Sequence, residues 1–271
     1  MLFDVAAALL ALYLAAIAAA YLGRGALIYP GTWLRAGERS VIPGAERLLH
    51  RFGSNPDEVV HGYFLPPRQA GRPAPIAVHF HGNGEIAGDR RDLITFYQSR
   101  GFAVFLPEYR GYGGAGGTPD YAAVSEDNRA LLDLVLSRPD VDRTRIVFHG
   151  VSLGSTFAVE AASTHPPRAL VLESAFTSVG ALAWRRGLPG FLLGSDYDTL
   201  ARLPALPMPL FLAHGTTDRV VPFDMGEALR DARPGSTFIA IEGVDHILST
   251  QDRRLSEPLA GFLAHHGLGS R

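Results

Sequence analysis

Seven short apolar runs, separated by longer amphipathic stretches, constrain this chain more than any other feature of its sequence. They are Val59 to Leu65, Ile76 to Phe80, Phe102 to Leu106, Arg145 to Phe148, Ala169 to Leu172, Leu210 to Ala213 and Phe238 to Ile241. Each has the length of a strand rather than a helix. Between them, Tyr121, Val124, Asn128, Leu131, Leu132 and Val135 fall at three-and-four spacing after a Pro119-Asp120 start, which predicts a helix. Further helices are predicted over Asp89 to Arg100, stopped by Gly101, and over Leu153 to Thr164, Asp224 to Asp231 and Arg253 to His266. Strands that are apolar throughout and separated by helices imply a mostly parallel central sheet covered on both faces. The expected fold class is therefore α/β, of the open doubly wound kind. Ligands of such sheets bind outside the carboxyl ends of the strands, so the residues just after each run matter most.

Polar groups capable of chemistry gather at those ends. Gly150-Val151-Ser152-Leu153-Gly154 comes after an apolar run and opens a helical stretch, the setting in which G-x-S-x-G carries a nucleophilic serine. A nucleophile on so tight a turn needs a strained backbone, and glycine on either side lets neighbouring chain approach without a clash. A serine hydroxyl also needs a base, and the base an acid that fixes its tautomer. In this sheet type the order is Ser, acid, His, which selects Asp218 after the Leu210-to-Ala213 run and His246 after the last one. Asp245 adjoins His246 too closely to fold back onto its ring, and Asp224 lies a helical turn further on. His165, His214 and the His265-His266 pair fit the base less well. The developing oxyanion needs two donors: the N–H of Leu153 at the start of the helix, and one from His81-Gly82-Asn83-Gly84, with Asn83 preferred to Gly84.

Composition removes other classes of function. A formal charge of -2 with 19% charged residues leaves no basic field for a phosphate backbone, so no nucleic-acid partner is expected. Cysteine is absent, which excludes disulfides, Cys-ligated zinc, iron–sulfur clusters and a thiol nucleophile. All 25 basic residues are Arg, so Walker, Schiff-base and Ser–Lys lysines are excluded as well. His79 and His81 share a strand face but lack a third ligand at metal spacing, so neither a metal nor a cofactor is expected. Tyr109 to Gly113 is Gly-rich without a nucleotide-loop pattern and reads as a tight turn beside the nucleophile.

At the other end of the chain, the eighteen residues Val5 to Leu22 carry no charge, close to the minimum for a membrane span. Nine of them are Ala, so an Ala-rich helix packed on a soluble domain is the alternative to an anchor. A cleaved signal peptide fits less well, because no basic region precedes the run. Arg24, Arg35, Arg39 and Arg47 come after it, and the positive-inside bias would place the domain in the cytoplasm. The expected layout is an anchor over residues 1–23, a connector over 24–56 and a catalytic domain over 57–271.

The set His81-Gly82-Asn83, Tyr109-Arg110-Gly111-Tyr112-Gly113, Gly150-Val151-Ser152-Leu153-Gly154-Ser155, Glu173-Ser174-Ala175-Phe176, His214-Gly215-Thr216-Thr217-Asp218 with Val221-Pro222, and Asp245-His246 resembles the α/β-hydrolase superfamily. More narrowly it is similar to the Bem46-like branch of membrane-anchored serine hydrolases, related to the abhydrolase-domain proteins of types 13 and 17. The resemblance runs in order from about Val59 to His266, and an N-terminal anchor is usual in that branch. It implies Ser152 as nucleophile, Asp218 as acid, His246 as base, Asn83 and Leu153 as oxyanion donors, and hydrolysis of carboxylic esters or acyl thioesters. Val151 departs from the pattern, since relatives often carry a larger polar residue there.

Substrate choice should come from a lid-like insertion at about 175–204, with Trp184 and Phe191 as expected substrate contacts alongside Tyr112. Its Arg185-Arg186 pair is expected to be solvated. The expected substrate is a small or lipid-like acyl ester or thioester. Two readings compete: a serine peptidase of the oligopeptidase type, and a non-catalytic, membrane-tethered interaction protein on the same scaffold.

Overall fold

A computed structural model describes residues 2–68 and 73–269. In chain order it contains α1 (Leu2–Leu22), α2 (Arg24–Ile28), α3 (Gly31–Leu34), β1 (Glu46–Arg51), β2 (Val59–Leu65), β3 (Ala74–Phe80), α4 (Arg91–Gln98), β4 (Ala103–Pro107) and α5 (Tyr121–Leu136). The elbow region comes next, as β5 (Val141–Val151), α6 (Leu153–Thr164) and β6 (Ala169–Glu173). Then come α7 (Val179–Arg185), α8 (Thr199–Arg202), β7 (Leu210–Gly215), α9 (Phe223–Ala232), β8 (Thr237–Ile241) and α10 (Arg253–His265). The described residues form one eight-stranded sheet in the order β1-β2-β4-β3-β5-β6-β7-β8. β2 runs antiparallel to both β1 and β4, and the remaining neighbours are parallel. This is an α/β-hydrolase fold.

The central strands β3, β4 and β6 are buried along their whole length. That is why their sequences are apolar throughout instead of alternating. Two hydrophobic clusters result, one on each face. Phe80, Phe105, Phe148 and Phe157 belong to the first, and Phe102, Val147, Phe211 and Leu259 to the second. α6 is buried on nearly all sides, and its small residues Gly154, Ser155, Ala158, Ala161 and Ala162 let it lie close to the sheet.

The connector expected over residues 24–56 requires correction. It contains α2, α3 and β1, and Tyr29 is buried in the first cluster with its hydroxyl 2.9 Å from that of Tyr197. β1 pairs with β2 from Glu46↔Phe64 to Arg51↔Val59. Its sequence, Glu46-Arg47-Leu48-Leu49-His50-Arg51, carries the charges with which proteins protect an exposed sheet edge, and those charges disguise it as loop. The segment at 175–204 holds α7, the 3-10 turn Gly190–Leu193 and α8. α1 is 6% buried over the span Phe3–Leu22, whose mean hydropathy is 2.3, so it is long and apolar enough to cross a membrane.

Candidate active site

Ser152 occupies the turn between β5 and α6 at φ 51, ψ -118. A positive φ costs a residue with a side chain about 1–3 kcal/mol, and such strain persists only where the surroundings enforce it. Here β6 does so, its Glu173 carbonyl accepting from the Ser152 N–H at 2.9 Å. The flanking glycines are required by close approach. A Cβ on Gly150 would come 2.6 Å from the Ser155 Cα, and one on Gly154 would overlap the Phe80 carbonyl and lie 2.7 Å from that of His81. The sequence GVSLG thus folds the strand directly into the helix, with Leu153 as the first helical residue and its N–H free of any intrahelical acceptor.

Asp218 lies just past β7 and His246 just past β8, separated by 28 positions in sequence. They meet with His246 Nδ1 2.8 Å from Asp218 Oδ2. The carboxylate accepts, so Nδ1 carries the proton and Nε2 is left as the basic nitrogen. Asp218 Oδ1 accepts from the N–H groups of Val220 and Val221, each at 2.8 Å. His214 Nε2 lies 2.9 Å from the Val221 carbonyl and 3.2 Å from Asp218 Oδ2. Asp245 is turned away, accepting from the backbone N–H of His246 at 2.9 Å and from the Arg219 side chain at 2.8 Å. Asp224 pairs with Arg185 on the surface.

Burial alone would raise the pKa of Asp218. The bonds from His214, His246 and the Val221 N–H outweigh that and hold its carboxyl well below the ordinary range. Because folding lowers this pKa, the stabilisation is complete above the unfolded value of about 4 and is lost as pH falls toward the folded one. In thermal melts, the Tm deficit of Asp218→Asn relative to wild type should be largest near neutrality and shrink below about pH 4. A deficit that does not change with pH would contradict an ionised Asp218.

The expected oxyanion loop lies beside the turn, with Gly82 packed near the Ser152 Cβ. Two consecutive peptides of this loop are pinned. The Gly82 carbonyl accepts from His81 Nδ1 at 2.8 Å and from the Glu85 N–H at 3.3 Å. The Asn83 carbonyl accepts from the Gly31 N–H at 3.1 Å and the Tyr112 hydroxyl at 2.9 Å. In a trans peptide the Asn83 N–H points opposite to the fixed Gly82 carbonyl. Beneath the loop, His81 Nε2 is 3.2 Å from Glu108 Oε1, and Glu108 accepts from the Ala87 N–H at 3.2 Å and from Ser40. Burial opposes charge on His81, but Glu108 and the Gly82 carbonyl raise its pKa on balance.

Ser152 stands between two cavities. One, of about 190 Å³, is mainly apolar and lined by Ile28, Asn83, Phe176, Leu182, Leu193 and Val221 among others. The second, of about 530 Å³, brings Ser152 and His246 together with the charged and polar groups of Arg90, Glu85, Asp92 and Ser249. Its charges are largely engaged with one another. Arg90 lies 3.3 Å from Asp92, 3.5 Å from Glu173 and 3.7 Å from Glu85.

The three expected substrate contacts require correction, since none lines either cavity among the described residues. Leu182 and Ala183 of α7 face the apolar cavity, and one residue further along a helix is about 100° around its axis, which turns Trp184 outward. Trp184 is 61% and Phe191 77% exposed, while Leu193 of the same turn reaches the cavity. Tyr112 is buried beneath the oxyanion loop, where its hydroxyl is used on Asn83. Arg186 is exposed, as expected of the Arg185-Arg186 pair, and its guanidinium also bonds the Val220 carbonyl at 3.1 Å at the edge of the cavity.

The sequence places Ser174 in the Glu173-Ser174-Ala175-Phe176 motif but gives it no role. Among the described residues it is the one non-glycine residue besides Ser152 with positive φ, at 47°. Its hydroxyl donates to the His246 carbonyl at 2.7 Å and its N–H to the Ala213 carbonyl at 2.9 Å, tying the His246 loop to the ends of β6 and β7. The signal available was Ser174 directly after a strand, one sheet position over from the elbow.

Comparison with known proteins returns the same architecture. A sequence profile of the family described as serine aminopeptidase, S33, matches residues 71–193, which include Ser152 but neither Asp218 nor His246. YfhR of Escherichia coli is 30% identical over 203 residues, covering 72% of this chain and 71% of that protein. Protein bem46 of Schizosaccharomyces pombe is 27% identical over 232 residues, covering 79% of this chain and 76% of that one. Among solved structures, acetyl xylan esterase 1 from Thermoanaerobacterium superposes with a TM-score of 0.62 at 20% identity, over 88% of this chain and 93% of that one, a likeness of fold.

Proposed function

Because this chain belongs to the Bem46-like branch of the α/β-hydrolases, we propose that it is a serine hydrolase cleaving carboxylic esters or acyl thioesters through an acyl-enzyme. Ser152 Oγ attacks the acyl carbonyl while His246 Nε2 takes its proton. The N–H groups of Leu153 and Asn83 receive the oxyanion, and the imidazolium, held by Asp218, returns the proton to the leaving alkoxide or thiolate. Water then repeats the sequence on the acyl-enzyme and releases the acid. α1 tethers the domain to a membrane.

The observation that carries the acyl assignment is the apolar cavity reaching Ser152, walled by side chains such as Ile28, Phe176, Leu182 and Leu193. An aminopeptidase must hold a substrate ammonium near the scissile bond, which requires a carboxylate. Among the described residues none lines this cavity, whose charged member is Arg186, and the carboxylates of the second cavity are already paired, Glu85 and Asp92 with Arg90 and Asp89 with Arg35. The second cavity, with its charged groups, serves the leaving group.

The test uses one acyl chain presented as a nitrophenyl ester and as a thioester, with an aminoacyl anilide alongside, together with fluorophosphonate labelling located by mass. Turnover of the ester or thioester, with the adduct on Ser152, is expected. Faster turnover of the anilide would make the protein a peptidase. Absence of both label and turnover in folded protein would leave the interaction-protein reading.

A further inference from the structure

We propose that the acyl cavity opens at the membrane surface, so that its substrate is an ester or thioester whose acyl chain resides in the same bilayer as α1. This rests on the reading of the protein as an acyl hydrolase and adds where its substrate comes from.

Chain connectivity fixes how far the cavity stands from the span. Gly23 closes one helix and opens the next, its N–H bonding the Ala19 carbonyl at 2.8 Å and its carbonyl accepting from the Leu27 N–H at 3.1 Å. α1 therefore ends and α2 begins at one residue, Gly23, whose backbone at φ -90, ψ 9 breaks the helix without a loop between them. Leu27 and Ile28, at the far end of α2, are wall residues of the acyl cavity. At 1.5 Å per helical residue, Leu27 lies at most about 8 Å beyond Leu22, the end of the apolar span, and a bend at Gly23 only shortens that. The headgroup layer on each side of a bilayer is about 5–8 Å deep. With α1 in the membrane, the cavity wall stands at headgroup level.

Side chains around the junction suit that depth. Tyr21 is partly exposed with the Arg24 guanidinium 4.5 Å above its ring, an aromatic and a cation at the end of the apolar span. Trp33, 58% exposed, is held beside α2 by its indole N–H, which bonds the Ala26 carbonyl at 3.1 Å. α1 touches the turn that carries Phe191, and the Trp184 indole packs on Gly190 of the same turn. The aromatic side chains that the cavity does not use are thus gathered around the foot of α1 as exposed apolar surface. Water gives no reason for that arrangement, whereas Trp, Tyr and Phe are at home in a bilayer interface.

The sequence contains two tryptophans, Trp33 and Trp184. This supplies a readout independent of activity. Full-length Trp33→Phe protein, in which Trp184 is the sole emitter, is reconstituted into phosphatidylcholine vesicles with and without phosphatidylcholine brominated on its acyl chains. An about twofold loss of Trp184 emission with the brominated lipid is expected if the indole sits in the interface. Quenching of Trp33 in Trp184→Phe protein without quenching of Trp184 overturns the inference, because nearness to the anchor alone would produce it. The same vesicles carry a kinetic arm. Phe191→Asp should slow hydrolysis of bilayer-resident nitrophenyl palmitate about tenfold, the equivalent of one lost aromatic burial, and leave water-soluble nitrophenyl butyrate unchanged. Equal effects on the two esters overturn the inference. Trp33→Phe protein that takes the fluorophosphonate while its Trp184 stays unquenched overturns this inference alone, and failure of both label and turnover overturns the hydrolase reading with it.

Discussion

Replacing Ser152 separates chemistry from strain, and the two substitutions that do so should move stability in different ways. Ser152→Ala is expected to lower ester turnover by roughly 10⁴- to 10⁶-fold, the loss seen when the nucleophile of a Ser-His-Asp set is removed. Its Tm should stay near wild type, because Ala retains the Cβ that makes φ 51 unfavourable. Ser152→Gly should be equally inactive yet more stable. Relief of about 1–3 kcal/mol of strain exceeds the roughly 0.4–1 kcal/mol that the greater freedom of unfolded glycine costs. The net gain of about 1 kcal/mol corresponds to a rise of roughly 2–4 °C in a chain of this size. Steady-state kinetics and a thermal melt on the three proteins check both halves. A Ser152→Gly protein less stable than wild type would mean that the elbow stores no strain.

That strain is also where the sequence was most legible. The pattern GVSLG requires a turn no ordinary residue adopts freely, and the apolar run before it and helical run after it leave one place for such a turn. The same holds for the buried strands, whose unbroken apolar character comes from having helices on both faces. What the sequence hid falls into three kinds. β1 was hidden because an edge strand carries charges for a reason unrelated to loops. The cavity walls were hidden because side-chain direction depends on helical phase. An apolar composition marks the 175–204 insertion as a cover without saying that Leu182 and Ala183 face in and Trp184 faces out. Tyr112 shows the limit from the other side, a plausible substrate contact whose hydroxyl is already used beneath Asn83.

The supporting residues were illegible for a further reason, since each acts through backbone contacts between distant segments. Ser174 steadies the His246 loop through a carbonyl, and His81 steadies the Gly82–Asn83 peptide in the same way. His214, weighed as a base from its place in the sequence, lies behind Asp218 instead, where its Nε2 is shared between that carboxylate and the Val221 carbonyl. Charge is handled likewise under the elbow. Burial works against charge on Glu173, but His149 at 3.0 Å and Arg90 at 3.5 Å hold its carboxyl below the usual range. Such a buried cluster is weak evidence for stability, but removing one partner would leave another charge uncompensated directly below the nucleophile.

The largest expected effect on stability comes from one methyl group. In Gly154→Ala the new Cβ would overlap the Phe80 carbonyl oxygen at the end of β3 and crowd that of His81. Neither can retreat. Phe80 pairs with Gly150 of β5, and His81 is held by its ring to Gly82. α6 would have to lift from the sheet instead, opening the packing of Phe157 and Ala158, which are fully buried. Overpacking of a rigid core costs about 1–3 kcal/mol and occasionally more, and backbone on both sides of this contact places it at the upper end. A loss of about 3 kcal/mol would lower Tm by roughly 6–12 °C. The displacement would also carry the Leu153 N–H away from the oxyanion position, so turnover in the surviving folded protein should fall about 10²-fold or more. Gly261→Ala is the matched control. It sits exposed in α10 with nothing within 4 Å of the added carbon, and Ala in a helix interior should stabilise by about 0.5–1 kcal/mol. The same substitution is thus expected to change Tm in opposite directions at the two sites. A Gly154→Ala protein that melts with wild type would show that α6 has room to move, and that the elbow is not wedged by its glycine.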